Sequence, residues 1–347
     1  MGELQANRNP CKWWLIVPLA SMAGAMAWGI RGQYGHERGA AIAGVLVGLV
    51  ATLLLGKRLT AIQSARAVAL YALGISIGGC MTYGQTVGLT QDSPLVGNVE
   101  AYRWGMLGLA IKGGIWIGLG TAMLGMGLSQ VNYRPREIGW LILAMVIAMQ
   151  VGVLVVNRPY APDEKLLPAI YFSDHWHWEP DVDSPRREKW AGLLLSLGVL
   201  VLYVGAKRRD VLAVQLAFWG VLGGAVGFPF GQMIQATHAW YPEWLAQLPT
   251  NSVTKYFNWW NIMETTFGGV FGAIVGLGLW IHRVRVQPKN EIDLRQTTRM
   301  SITAEWGLMF AYAVMIIAWN FSGDLLTDDL DVVMEQALPM IIIPAMA

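Results

Sequence analysis

Long apolar runs broken by short polar segments set the reading of this chain. Each run supplies the roughly 20 mostly apolar residues that a helix needs to cross about 30 Å of hydrocarbon. A helix is the expected element because an open chain in lipid would leave its backbone N–H and C=O groups without partners. The pattern predicts spans near 13–30, 39–56, 65–90, 102–128, 137–156, 190–206, 211–236, 258–281 and 302–320. A tenth begins near 332, and the sequence stops at Ala347 inside that apolar run, which reads as an unfinished segment. The predicted fold class is all-α: a single transmembrane domain over 1–347, a helix bundle of about ten spans.

The polar segments between the runs test this alternation. Segments 1–12, 57–66, 130–137, 207–210 and 282–299 together hold 15 Lys/Arg against 5 Asp/Glu. Segments 31–38, 91–103, 157–189, 238–257 and 321–331 hold 9 against 15. Basic loops stay cytoplasmic, so the expectation is a cytoplasmic N-terminus in a bacterial inner membrane. Arg8 and Lys12 precede the first run and Ala-Gly-Ala-Met-Ala lies within it, as in a cleavable signal. That run, however, leads straight into a polar motif that recurs later, which favours a retained first span.

Composition agrees: 54% of residues are apolar and 14% charged. A net charge of +2 gives no footprint for nucleic acid, and no nucleic-acid motif is present. Cys11 and Cys80 are too few and too far apart for a disulfide framework or a zinc site. Many of the 40 glycines fall inside the apolar runs, where small residues let helices approach closely.

Three outward-going spans end alike, in Trp28-Gly-Ile-Arg-Gly-Gln33-Tyr-Gly, Met81-Thr-Tyr-Gly-Gln85-Thr-Val-Gly and Phe228-Pro-Phe-Gly-Gln232-Met-Ile-Gln. Their returning spans carry Arg38-Gly-Ala-Ala, Lys112-Gly-Gly-Ile-Trp and Phe267-Gly-Gly-Val-Phe. The unit is a helical hairpin with Gly-Gln at its tip, repeated near 13–56, 65–128 and 211–281. Hairpins 137–206 and 302–347 resemble it less. Such repeats are typical of transporters, whose sites form at broken helices. Glycine permits a break, and Gln33, Gln85 and Gln232 offer both donor and acceptor to freed backbone or to a ligand. The same residues could simply cap helix ends.

Two charges lie where charge is expensive. Lys112 falls ten residues into its predicted span, about 15 Å of helix from the outer end. Glu264 sits one to two turns into the eighth span with Asn261 on its face. The expectation is that Lys112 and Glu264 face a common cavity, paired with each other or with the first tip; a structural salt bridge is the alternative. That tip, Arg31-Gly-Gln33-Tyr-Gly-His36-Glu37-Arg38, is the densest polar cluster beside any span. Arg31 and Arg38 could fork a carboxylate, phosphate or sulfate. His36 and Glu37 could be an acid–base pair, although Glu37 also suits the dipole of the helix it begins.

The loop 157–189 is acidic and aromatic, and its His175-Trp176-His177 beside carboxylates is a weak metal signal. Loop 238–257 adds His238, Trp240, Glu243 and Trp244. Aromatic rings alternating with acids suit stacking on sugars, and they equally suit the membrane interface. Gly78-Gly79-Cys80 before a glycine-rich break resembles the motif of bacterial membrane permeases for sulfur compounds. The likeness covers only that stretch and implies transport. That family relies on several such cysteines, whereas the first and third tips here have none, and Cys80 also suits simple packing.

The expected function is a permease for a small polar or anionic solute. Its substrate-binding residues would be Arg31, Gln33, His36, Glu37, Arg38, Gln85, Lys112, Gln232, Asn261 and Glu264. The alternatives are an outer-leaflet transferase or hydrolase on lipid-linked or sugar substrates, and a structural subunit of a membrane complex. No Ser-His-Asp set, His-Glu-x-x-His or phosphate loop is present, and neither a cofactor nor a metal is expected. The expected partners are the lipid bilayer and the solute, with self-association into a homo-oligomer left open.

Overall fold

The computed structural model describes residues 13–31, 37–55, 59–173, 185–247 and 258–286. The described chain is helical, with no β-strand in it. Its principal helices are α1 (Trp13–Arg31), α2 (Glu37–Leu55), α3 (Ala61–Gly79), α4 (Gly84–Gln91), α5 (Val99–Leu128), α6 (Pro135–Val156), α7 (Trp190–Leu202), α8 (Val211–Trp240), α9 (Pro242–Ala246) and α10 (Trp259–Ile281). One π-helical turn, Tyr203–Lys207, prolongs α7. Six stretches are long and apolar enough to cross a bilayer: α3, α5, α6, α7 with its π turn, α8 and α10. Leu15–Arg31 and Gly39–Leu55 are shorter apolar stretches. The protein is a polytopic helical membrane protein. The spans predicted at 302–320 and from 332 lie outside the described residues.

Local sequence sets the helix starts. Thr60, Asn98, Asp210 and Asn258 each accept a first-turn backbone N–H on a side-chain oxygen, beginning α3, α5, α8 and α10. The span predicted over 65–90 is divided. α3 ends at Gly79, Cys80–Tyr83 leave the helix, and α4 resumes at Gly84. By contrast, α8 runs unbroken through Pro229 and Gly231-Gln232 to Trp240. Gly231-Gln232 therefore lies inside a helix and not at its tip.

Six of the helices form a closed ring in the order α1, α2, α3, α5, α8, α10 and back to α1. All six contribute to one buried apolar cluster inside it. Close contact between neighbours depends on missing side chains. A Cβ on Gly113 would stand 2.4 Å from the Gly224 carbonyl oxygen, joining α5 to α8. A Cβ on Gly24 would stand 2.2 Å from that of Gly268, joining α1 to α10. Helices α6 and α7 pack on each other and, through α7, on the outside of α5. A second apolar cluster lies between them and α3, α5 and α8.

Candidate functional site

The ring's interior is filled near one end by aromatic side chains from several helices. Trp28 of α1 meets Trp116 of α5 edge-on at 5.7 Å and Phe271 of α10 at 4.6 Å between ring centroids. Phe228 of α8 stacks on Phe267 of α10 at 4.6 Å, and Tyr83 from the α3–α4 break closes over Phe228 at 5.3 Å. All six rings are buried. Trp116 is fixed by its Nε1–H, which donates to the Ile75 carbonyl at 2.8 Å. It lies over Gly78, where a Cβ would stand 2.3 Å from the indole. That contact gives Gly78, part of the stretch resembling sulfur-compound permeases, a packing role.

One helical turn toward the nearer end, a buried ion pair covers this plug. The Arg31 Nη1 donates to Glu264 Oε1, and both side chains are almost wholly buried. The same oxygen accepts from Trp260 Nε1 at 3.1 Å and from the Tyr83 hydroxyl at 3.4 Å. The Arg31 guanidinium lies over the rings of Tyr83 and Trp116, 5.3 and 5.1 Å from their centroids. Two rings and a carboxylate thus stabilise the buried cation. Glu264 Oε2 and Trp28 Nε1 are buried without a hydrogen-bond partner. The cluster thus keeps one buried acceptor and one buried donor that no protein group engages.

Lys112 has a different partner from the one expected. Its ammonium donates to Glu188 Oε1 at 2.6 Å, Thr86 Oγ1 at 2.7 Å and Ser173 Oγ at 3.1 Å. These three acceptors match the three N–H groups of an ammonium. Glu188 in turn accepts from the Ser173 hydroxyl at 2.9 Å and the Phe172 N–H at 2.9 Å. Both charged side chains are fully buried. Lys112 and Glu264 therefore sit in two separate ion pairs, one fastening a loop to α4 and α5, the other buried inside the ring.

The loop is held at further points. Trp104 Nε1–H donates to the Tyr171 carbonyl, the Tyr171 hydroxyl to the Arg186 carbonyl and the Thr82 hydroxyl to the Arg187 carbonyl. Gln85 stands at the start of α4 and accepts the Arg186 N–H at 3.1 Å. Gln232 is buried within α8 and donates to Thr90 Oγ1 at 2.7 Å, near the other end of α4. These two glutamines therefore fasten opposite ends of α4 and do not line one pocket together. Gln33 and His36 lie outside the described residues, as do His175 and His177. Glu37 and Arg38 begin α2, and their side chains are outside the description. Asn261 is half-buried in the first turn of α10, where its backbone N–H is capped by Asn258 at 2.8 Å. His238 stacks on Trp259 at 4.5 Å. Among the described residues no group of three His, Cys, Asp or Glu could hold a metal ion.

Tyr83, Trp116 and Trp260 around the Arg31–Glu264 pair, and Thr86, Ser173 and Glu188 around Lys112, are not among the site residues expected from sequence. A signal existed for Trp260, four residues before Glu264 and hence on its face. Nothing local marked Glu188 among the charges of its loop. Comparison with protein families, curated proteins and solved structures finds no match.

Proposed function

We propose that the chain is a permease for a small anionic or polar solute, with its path along the axis of the six-helix ring. The observation that carries this reading is the Arg31–Glu264 pair buried inside the ring, one helical turn from a plug of aromatic rings. An arginine presents a planar fork suited to carboxylate, sulfate or phosphate. In the closed arrangement Glu264 occupies that fork, and an incoming anion would compete for it. Rotation of Trp28, Trp116 or Phe228 would then open the axis beneath. Unmatched polar atoms at Glu264 Oε2 and Trp28 Nε1 support a role for the cluster in binding.

The ring order also supports a repeat. The returning helix of each hairpin neighbours the outgoing helix of the next: α2 beside α3, α5 beside α8, α10 beside α1. On this reading the Arg31 end faces outward, as the loop charges favour. Lys112 serves as an anchor for the outer loop and not as a ligand for solute, because its donors are already used.

Proteoliposomes loaded with the protein and offered sulfate, phosphate, acetate and a neutral polyol in turn would test this. The expected result is saturable uptake of at least one solute, abolished in Arg31→Ala and weakened in Arg31→Lys, which keeps the charge and loses the fork. Absence of protein-dependent flux for every solute, or full flux in correctly folded Arg31→Ala, would overturn it.

A further inference from the structure

At the opposite end of the bundle, an open hollow of about 600 Å³ is lined by Asn132, Arg134, Arg136, Glu137, Trp140 and Arg208. Its charges are unbalanced. Glu137 is the single acid among the six, and its Oε1 already faces Arg208 Nη1 at 3.3 Å and accepts the Tyr203 hydroxyl at 2.5 Å. Arg208 is further fixed by donation from Nη2 to the Asn132 carbonyl at 2.5 Å and by the Tyr133 ring, 5.3 Å away. Arg134 and Arg136 are exposed, and neither forms an ion pair among the described residues. Among the described residues the hollow therefore carries three guanidinium groups against one carboxylate, and that carboxylate is ion-paired with Arg208 and not with Arg134 or Arg136.

What lies below the hollow is apolar. Trp140 is 61% exposed, and Leu143, Ile147, Val151 and Leu154 follow it along α6, all exposed. Their spacing of three and four residues places them on one face of the helix. This is the side of the molecule that α7 leaves uncovered. A tryptophan between a cationic hollow and an apolar helix face is the arrangement of a membrane–water interface.

We propose that this hollow binds the headgroup of an anionic glycerophospholipid, with the acyl chains lying along the exposed face of α6. Charge complementarity selects the occupant. A phosphodiester with no ammonium of its own satisfies Arg134 and Arg136, whereas a choline headgroup would bring a third cation toward them. The apolar stripe distinguishes a lipid from a free anion, which could use the arginines but not Leu143 or Ile147. This site lies at the other end from Arg31 and Glu264, and the proposal does not depend on transport.

The test is native mass spectrometry of the full chain in mild detergent, titrated with dioleoyl phosphatidylglycerol, dioleoyl phosphatidylcholine or inorganic phosphate. Phosphatidylglycerol should bind at least about tenfold more tightly than phosphatidylcholine, and Arg134→Ala/Arg136→Ala should erase that preference. Trp140→Ala should weaken both lipids about equally. Arg134→Lys/Arg136→Lys should keep part of the preference, separating loss of charge from loss of fold. Equal binding of the two lipids, an unchanged preference in the double alanine variant, or displacement of the lipid by millimolar phosphate would each overturn the proposal.

Discussion

Replacing Glu188 by alanine should be among the most damaging single changes in this protein. Both Glu188 and Lys112 are fully buried, so the variant leaves an ammonium with two hydroxyl acceptors and no counter-charge. Breaking one side of such a pair destabilises by about 3–5 kcal/mol, a large share of the roughly 5–15 kcal/mol that holds a typical domain together. The Phe172 N–H also loses its acceptor. Replacing both charges, as Lys112→Met/Glu188→Leu, removes the buried charge altogether. An apolar pair of similar size is often neutral or better; here the Thr86 and Ser173 hydroxyls, 3.3 Å apart, still pair with each other, and only the Phe172 N–H loses its acceptor, at about 1–3 kcal/mol. The double variant should therefore recover at least about half of the single variant's loss. Thermal unfolding in detergent, followed by retention of the monodisperse protein, gives the ranking: wild type, then the double variant, then Glu188→Ala. If the protein is the permease proposed above, the double variant should also retain solute flux, because the Lys112 ammonium is engaged by Glu188, Thr86 and Ser173 and not offered to solute. Wild-type stability in Glu188→Ala, additive losses in the double variant, or a stable double variant without flux would refute the reasoning.

Gly224→Ala places a Cβ 1.9 Å from the Gly113 carbonyl oxygen and should cost about 1–3 kcal/mol by forcing α5 from α8, read as a lower unfolding temperature. Gly198→Ala, with nothing within 4 Å of the new Cβ, should be neutral or stabilising by up to about 1 kcal/mol in the same assay. Asp210→Ala removes the cap of α8 and the acceptor for the Ser129 and Tyr133 hydroxyls at 2.5 and 2.8 Å. Burial, and then the charge of Asp210, raises the Tyr133 pKa, so this phenol remains a donor. The loss should reach about 2 kcal/mol or more, visible as faster unfolding in detergent. His282 just beyond α10 accepts the Trp219 Nε1–H at 3.1 Å, and burial and then Arg285 lower its pKa. A depressed histidine pKa favours the neutral folded form, so its contribution is present above the ordinary value of about 6.5 and is lost as pH falls through the lower folded value. His282→Ala should flatten that part of the stability–pH curve measured by thermal unfolding.

Part of this architecture could be read from local pattern alone. Apolar length dictated helices at 13–31, 37–55, 135–156 and 259–281 within a few residues, because a backbone in lipid must satisfy itself and leaves the helix as its one open form. Sequence also marked Lys112 and Glu264 as special, since a charge flanked by apolar turns is expensive wherever the chain finally goes, and Arg31 as part of the polar tip after the first span. Tertiary structure decided the partners. Glu264 meets Arg31 across 233 residues, and Lys112 meets Glu188 across 76. Neither distance is legible in a period of 3.6, which fixes the face of a helix but not its neighbour. The same limit explains the glutamines. Gly84-Gln85 begins a helix after a break and Gly231-Gln232 lies within one, although the residues read alike. The helices around them differ: Trp116 lies over Gly78 in the last turn of α3, while α8 packs along both α5 and α10, and such neighbours are set by the tertiary structure and not by local sequence.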